Sequence, residues 1–307
     1  MSSIIKSNRR KAALSDAIFQ AVTITIATIL FLAVLYPIIY VVSSSFSSPT
    51  AIASGKVILW PVDPTFEGYR RTFEYREVWT GFSNSVFYTV VGTALNLVVT
   101  ILAAYPLSRK RLIGRDVFTF IFAFTMWFSG GLIPSYLLMR SLHMINTRWA
   151  LLLPGAMSVY NMIITRTFFQ TNIPDELLES AKLDGCSDFR FLISIVLPLS
   201  KAVIAVIALY YGVSHWNSYF SAFIYLTDRS KFPLQIFLRE VLVMSQTAAI
   251  MADSGAAIDD AQLAAMQMMS ELLKYSLIVI SSLPLIMIYP FVQKQFIKGV
   301  MIGALKG

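Results

Sequence analysis

The sequence predicts an all-α, polytopic membrane protein with six transmembrane helices and both termini in the cytoplasm. Three observations predict this class: a low content of charge, six long apolar stretches, and basic residues gathered on one side of the membrane. Charged residues make up 14% of the 307-residue chain and its mean hydropathy is +0.66, whereas soluble domains carry about 25% charged residues. The composition therefore indicates a membrane protein, and the single cysteine excludes an intrachain disulfide framework.

Six stretches are long and apolar enough to cross a bilayer, which requires about 20 mainly apolar residues. The fourth is the least uniform, because Asn161 lies within it and Arg166 lies near its end. The first is too long for a cleaved signal peptide and is expected to remain as a membrane helix. In chain order, the six stretches are 17–42, 84–107, 117–139, 149–169, 198–226 and 272–292.

The distribution of Lys and Arg predicts the orientation. With the N-terminus inside, the cytoplasmic segments carry 15 basic and seven acidic residues, and the outside segments carry ten of each. Because basic residues accumulate in cytoplasmic loops, this asymmetry favours both termini inside. It also explains the basic composition without a nucleic-acid partner, since basic clusters beside a membrane face anionic lipid headgroups. The cytoplasmic segments are 1–16, 108–116, 166–201 and 293–307.

Two longer loops, 43–83 and 227–271, are predicted to lie outside. The second contains a partial helical stripe of apolar residues within 256–273. This stripe predicts a short helix lying on the outer face.

The cytoplasmic stretch 175–190 is unusually polar for this chain, with seven charged residues. Burying it in lipid would cost about 17 kcal/mol. Pro174 suits the first position of a helix, the acids Asp175 and Glu176 suit its first turn, and Gly185 is a natural C-terminal stop. Leu177, Leu178 and Ala181 are expected to share one face of this helix.

A second helix is predicted directly after this one. Ser187 caps it, with Asp188 in its first turn, and Pro198 is expected to break or kink it. The resulting hairpin suits a groove on another protein, and an ordinary amphipathic hairpin at the membrane interface is the alternative. The predicted apolar stripe is formed by Phe189, Leu192, Ile193 and Val196.

The same stretch resembles the "EAA…G…I-LP" loop of ABC importer permeases. The resemblance implies that this loop is a coupling helix, which seats in a cleft of an ATP-hydrolysing subunit. Ser180, Cys186 and Ala202 depart from the family pattern by small or peripheral changes. The residues that carry the resemblance, and the implied coupling role, are Glu179, Ala181, Asp184, Gly185, Ile195, Leu197 and Pro198.

Further stretches resemble the carbohydrate-importing branch of that family, of the maltose-transporter type, and within it oligosaccharide or polysaccharide-fragment permeases. The resemblance covers residues 83–307 and rests on 143–155, 214–226, 229–240 and 293–307. It implies a multi-pass protein of the bacterial cell membrane that works with a second related permease, two ATPase subunits and an extracytoplasmic solute-binding protein.

The predicted spans, the charge distribution and this resemblance together divide the chain. Residues 293–307 form a cytoplasmic tail that either reaches between the ATPase subunits or is a frayed end. The other parts are a cytoplasmic N-terminus (1–16), the first transmembrane helix with its outer loop (17–83), and a core permease domain (84–292) containing the coupling loop (172–199).

The chain has no catalytic equipment of its own. No G-x-x-x-x-G-K-[ST] phosphate loop is present, and neither His143 nor His215 has the context of a metal ligand. No acidic residue lies in the six apolar stretches, which disfavours a secondary transporter. The chain is thus predicted to be a non-enzymatic subunit without cofactor or metal, with ATP and Mg²⁺ bound by the partner ATPase subunits. An ABC importer for another solute, such as a peptide, and a non-transporting scaffold remain as alternatives.

Polar and aromatic residues of the fourth and fifth stretches are candidates for the substrate path, because amides, hydroxyls and aromatic faces bind sugars. Tyr211 and His215 are four residues apart and share a helix face. Asn217 lies about 200° round the helix from His215 and cannot share that face. Helix packing and an interfacial aromatic belt are the alternative roles. The candidates singled out are Asn161, Tyr211, His215 and Asn217, among a wider set that includes Tyr160, Tyr210, Trp216 and Tyr219.

Overall fold

The computed structural model is all-helical over the residues it describes, which confirms the predicted class. These are 2–253 and 260–304 for the backbone, and 16–251, 265–290 and 293 for the side chains. A π-helical turn, Leu192–Val196, connects two of the helices. The helices are α1 (Ser2–Ser45), α2 (Pro49–Ala53), α3 (Glu67–Glu74), α4 (Arg76–Ser108), α5 (Arg115–Trp127), α6 (Leu132–Ser141), α7 (Trp149–Leu152), α8 (Val159–Asn172), α9 (Asp175–Leu183), α10 (Asp188–Phe191), α11 (Leu197–Leu199), α12 (Lys201–Trp216), α13 (Phe220–Tyr225), α14 (Leu234–Asp253) and α15 (Asp260–Ala304).

The chain divides into two compact units. The first comprises Met1–Thr72 and Val241–Val279. Its small core packs Ala51, Ile52 and Val57 beside Tyr275, whose ring meets the Tyr40 ring edge-on at 5.9 Å. No residue in the most apolar stretch of α1 is buried within the chain, as expected for a helix that faces lipid or another subunit.

The second unit comprises Phe73–Glu240 and Ile280–Gly307 and is built around α4. This helix packs along α12 and α8. Small or polar residues recur on its packed face, and Gly92, Asn96 and Thr100 are spaced one turn apart. Such residues let helices approach closely and hydrogen-bond across the contact in a membrane. Ala104, Phe169 and Phe191 lie in a hydrophobic core that joins α4 and α8 to the charged hairpin.

Length and apolar composition select four helical segments that can cross a membrane singly, and six when each of two bent pairs counts as one span. Three of the four correspond to the first, second and sixth predicted stretches. They are Asp16–Ser45, Arg76–Ser108 and Ala265–Pro290. The first bent pair corresponds to the third stretch, and the second bent pair shares 198–216 with the fifth. The fourth segment, Leu234–Met251, is also long and apolar enough to cross a membrane, although it lies within the predicted outer loop 227–271.

Three predicted spans are interrupted, of which the fifth is divided between α12 and α13 after Trp216. The third stretch bends by 112° between α5 and α6, where Gly131 adopts a positive φ of 81°, which glycine reaches without steric cost. The fourth breaks between α7 and α8, where Pro154 and Gly155 lie. Ser158 starts the second half by accepting a hydrogen bond from the Asn161 N–H.

The predicted short outer helix within 256–273 is wrong, because the described part of that stretch belongs to the 45-residue helix α15. Favourable packing along a long apolar helix outweighs the local stripe from which the boundary was inferred. Residues 254–259 lie outside the described residues, as do 305–307 of the predicted tail. The rest of the tail continues α15 to Ala304.

Candidate functional site

The first arm of the charged hairpin is α9, and this helix ends at the predicted glycine. Gly185 has a φ of 75°. Its N–H donates to the Lys182 carbonyl at 3.0 Å, and the Cys186 N–H donates to the Ala181 carbonyl at 2.9 Å. This pair of bonds is a Schellman motif, which turns the chain sharply after a helix. Pro174 lies one position earlier than predicted, as the N-cap of α9.

The second arm of the hairpin starts at Ser187, whose hydroxyl accepts from the Arg190 N–H. The predicted apolar stripe is only half correct, since Leu192 and Val196 are buried but Phe189 and Ile193 are exposed. Phe191 is fully buried instead. The π-helical turn explains the difference, because its wider turns change which residues share a face. Pro198 does not end the helical run, and the 84° bend falls after Leu199.

The tip of the hairpin exposes apolar side chains. Leu183 is 90% exposed and Phe189 is 65% exposed. Lys182 ties the two arms together through an ion pair with Asp188 at 3.1 Å. A rigid, charged turn with two exposed apolar side chains has the composition of a docking surface. Of the residues predicted to couple, Glu179, Asp184, Gly185 and Pro198 are exposed, Ile195 and Leu197 are half-buried, and Ala181 is buried against the core.

A buried arginine joins this hairpin to α4. Arg109, the C-cap of α4, is 6% exposed. Its Nη1 donates to the Ile173 carbonyl at 3.2 Å and lies 3.6 Å from the Asp175 carboxylate. The guanidinium also lies over the rings of Tyr105 at 5.3 Å and Phe191 at 6.0 Å. Arg109 therefore contacts the start of α9 and the end of α10 at once.

The remaining donors of Arg109 are not used within the described part of the chain. Its Nε and Nη2 atoms, like the nearby Tyr105 hydroxyl, are buried without a hydrogen-bond partner there. Arg166 reinforces the joint from α8, since its Nε donates to the Leu107 carbonyl at 2.9 Å. The hairpin is thus attached to the membrane helices through a hydrophobic core and one buried cation. Sequence reasoning assigned this cation to a lipid-facing cluster.

The predicted pair Tyr211 and His215 does share a face of α12, and this face is packed against α4. The two hydroxyls of Tyr211 and Thr100 lie 2.7 Å apart. His215 Nε2 lies 2.8 Å from Asn96 Oδ1. Because the Asn96 amide nitrogen donates to the Gly155 carbonyl, its oxygen faces the imidazole and Nε2 carries the proton. We call these four side chains the polar ladder.

The polar ladder satisfies backbone groups at the break in the fourth stretch. Tyr211 also accepts from the Ser158 N–H at 2.9 Å, and Asn96 holds the Gly155 carbonyl. Irregular backbone at membrane depth requires such partners or a water-filled cavity. The Tyr211 hydroxyl and the His215 Nε2 atom are therefore bonded to protein partners, which favours a role in helix packing.

The other two path candidates lie elsewhere. Asn161 is buried within α8, and its backbone carbonyl accepts from Thr165. Asn217 is the exposed C-cap of α12. Trp216 is buried and donates to the Ser281 carbonyl at 2.8 Å, as expected if it packs against a neighbouring helix. Their roles in a substrate path stay predictions.

Removing one hydroxyl tests the ladder. Tyr211→Phe keeps the ring but leaves the buried Thr100 hydroxyl and the Ser158 N–H without their partner, so we expect a loss of stability of about 1–3 kcal/mol. Thermal unfolding of the purified chain in detergent measures it. Tyr210→Phe, at a half-exposed neighbouring position, is the matched control. An equal melting temperature for both variants would contradict this role.

No family model matches the chain. The polygalacturonan/rhamnogalacturonan transport system permease protein YtcP of Bacillus subtilis (strain 168) is 40% identical over 272 residues, which are 88% of this chain and 92% of that protein. The arabinooligosaccharides transport system permease protein AraQ of Halalkalibacterium halodurans is 26% identical over 290 residues, 93% of this chain and 95% of that protein.

The fold is also similar to a solved structure. A chain in the crystal structure of a bacterial ABC transporter involved in the import of the acidic polysaccharide alginate superposes with a TM-score of 0.81 and 37% identity. The match covers 91% of this chain and 97% of that one. The likeness therefore extends over nearly all of both chains.

Proposed function

Because the chain belongs to the permeases of carbohydrate-uptake ABC importers, we propose that it carries fragments of an acidic polysaccharide and is coupled to ATP hydrolysis through its charged hairpin. As a member of this family, it is a multi-pass bacterial membrane subunit of a binding-protein-dependent importer of oligosaccharides or polysaccharides. ATP hydrolysis lies in partner subunits. The alternative of a peptide importer gains no support from the relatives described above.

The coupling role rests on the geometry of the hairpin. The hairpin carries seven charged residues within 175–190 and its tip exposes Leu183 and Phe189, so it suits a groove on a protein. Its base is held to α4 by Arg109 and packs into the core of the second unit. A movement of a docked ATPase subunit would therefore pass to α4 through a packed, charged joint rather than through a loose loop.

The substrate class rests on two relatives. One is named for polygalacturonan and rhamnogalacturonan, and the matching crystal structure is of a transporter for alginate. Galacturonate and alginate units are uronates, pyranoses that carry a carboxylate. Both carbohydrates contain uronate units, and we propose uronate oligosaccharides as the substrates of this chain.

The proposed assembly contains one copy of this chain, a second related permease, two ATPase subunits that bind MgATP, and an extracytoplasmic solute-binding protein. Family membership supports ATPase and binding-protein partners in general. The stoichiometry and the second permease are part of the proposal. The apolar surface of α1, unburied within the chain, fits either lipid or such a neighbouring permease.

A reconstituted complex tests the substrate class. We expect ATP hydrolysis in proteoliposomes to be stimulated by the binding protein loaded with oligogalacturonate or oligoalginate. Neutral oligosaccharides of equal length and short peptides serve as comparisons and should stimulate much less. Stimulation by neutral sugars that equals or exceeds stimulation by uronates would contradict the acidic class.

A further inference from the structure

Arg239 on α14 lacks an anionic partner among the described side chains, unlike the two cations before it in this stretch. Arg229 pairs with Glu240 at 2.6 Å, and Lys231 pairs with Asp228 at 3.1 Å. A hydrogen bond from Ser230 lowers the pKa of Asp228 to about 2. This carboxylate therefore stays charged and paired with Lys231. An arginine without a counter-ion, on a helix apolar enough to cross a membrane, is expected to serve function rather than packing.

Two aromatic rings of the neighbouring segment support this guanidinium. Its centre lies 4.3 Å from the Phe223 ring and 5.9 Å from the Tyr219 ring. Residues 219 and 223 are one helical turn apart, so one surface presents both rings. Stacking on aromatic faces orients the planar fork and leaves its N–H edges free to bind a carboxylate with two hydrogen bonds.

A groove of about 320 Å³, within the size range of small-ligand sites, is lined in part by the segment that carries these two rings. Phe220 links the two features, since it lines the groove and its ring meets the Tyr219 ring edge-on at 6.4 Å. Phe220 is 53% exposed and offers an open aromatic face. Hydroxyls of Ser129, Ser135 and Ser221 line the same groove.

The groove is held open by the fold. One wall comes from the break between α5 and α6, whose axes differ by 112°. The other wall is α13, and Tyr136 of α6 stacks on Tyr225 of α13 with ring centres 6.3 Å apart. A helix interrupted by glycine at membrane depth is a recurrent place for a transporter's substrate site. The hydroxyls and the aromatic face therefore line one groove, and the cation stacks on rings of the segment that forms its second wall.

We propose that Arg239 and the adjoining groove form a subsite for one uronate unit, in which the guanidinium binds the carboxylate and Phe220 stacks on the sugar ring. The serine hydroxyls then bond to sugar hydroxyls. This inference rests on the proposed acidic substrate class and adds the residues that select for charge. None of these residues belongs to the path predicted from sequence, apart from the neighbouring Tyr219.

The test compares a charged sugar with its neutral twin in the reconstituted complex. Trigalacturonate and its carboxyl-reduced form, a galactose trimer, have the same length and linkages. The readout is the ratio of kcat/KM for uptake of the two sugars, measured at saturating binding protein. Arg239→Gln is expected to lower this charged-to-neutral ratio about tenfold or more, the effect of losing a charged hydrogen bond.

Two further variants sharpen the result. Arg229→Gln removes an equal charge from the same stretch and should leave the ratio unchanged. Arg239→Lys keeps the charge without the fork and should lower the ratio less than Arg239→Gln, which keeps the proposal testable if the glutamine variant does not assemble. A ratio within about twofold of wild type in both Arg239 variants overturns the subsite, as does an equal fall in Arg229→Gln.

The wild-type ratio separates this inference from the proposed function. If the unmodified complex prefers trigalacturonate and the Arg239 variants keep that preference, the subsite is wrong and the substrate class stands. If the unmodified complex shows no preference for the charged sugar, the substrate class fails and the subsite fails with it.

Discussion

Arg109→Ala is expected to uncouple ATP hydrolysis from transport while leaving the chain in the membrane. The substitution removes the hydrogen bond to the Ile173 carbonyl and the cation that lies over Tyr105 and Phe191. The Asp175 carboxylate is 39% exposed, so its ion pair contributes little in water. The loss therefore comes from the charged hydrogen bond and the ring contacts. We expect it to weaken the free energy of hairpin attachment by about 2 kcal/mol.

A loss of this size lowers the equilibrium constant for hairpin attachment about 30-fold. The measurements are co-purification of the ATPase subunits and the stimulation of ATP hydrolysis by loaded binding protein. Cys186, the single cysteine of the chain, lies in the hairpin turn. Its rate of maleimide labelling therefore reports whether the hairpin has moved, independently of activity.

The neighbouring Lys110 provides the control. It contacts the same carboxylate of Asp175 at 3.5 Å but is 83% exposed, so Lys110→Ala should change neither coupling nor labelling. Arg109→Lys keeps the charge and one donor and should retain part of the coupling. Full stimulation per assembled complex in Arg109→Ala would show that the hairpin does not depend on this cation.

The contrast between Arg109 and Lys110 also shows where sequence reasoning ends. Adjacent basic residues in a loop look alike in sequence, and both were assigned to lipid headgroups. Only the packing of α9 and α10 against the end of α4 decides that one is buried. The hairpin itself was predictable, because its capping serine, its glycine stop and its charge act locally.

The substrate path was less accessible to sequence reasoning, because helix periodicity predicts a shared face but not what that face meets. Tyr211 and His215 share a face as their spacing requires, and α4 covers that face. Gly130 and Gly131 could have signalled the break between α5 and α6, since paired glycines interrupt helices. No comparable local signal brings Arg239 to Phe223, which is 16 residues away in the chain.

Gly185→Val is expected to release the ATPase subunits by distorting the hairpin turn. A Cβ atom at residue 185 would meet no atom within 4 Å, so the expected cost comes from the backbone conformation. The φ of 75° is a conformation that a β-branched residue adopts poorly. The strain is at least about 1–2 kcal/mol, and it acts on the Schellman turn that directs Leu183 and the second arm. Gly185→Asn should be milder, because asparagine tolerates this conformation.

Gly55 offers a matched control for this strain within the same chain. Gly55 has a φ of 67°, and a Cβ atom there would meet no atom within 4 Å. The Gly55 N–H donates to the Ile52 carbonyl and the Lys56 N–H donates to the Ala51 carbonyl, which is the same Schellman geometry. Gly55→Val thus carries a similar backbone cost at the end of α2, far along the chain from the hairpin. If the hairpin couples, co-purification of the ATPase subunits falls in Gly185→Val, partly recovers in Gly185→Asn and is unchanged in Gly55→Val. An equal loss of co-purification in both valine variants would mean that strain destabilises the whole chain. The result would then contradict a specific coupling role for the hairpin.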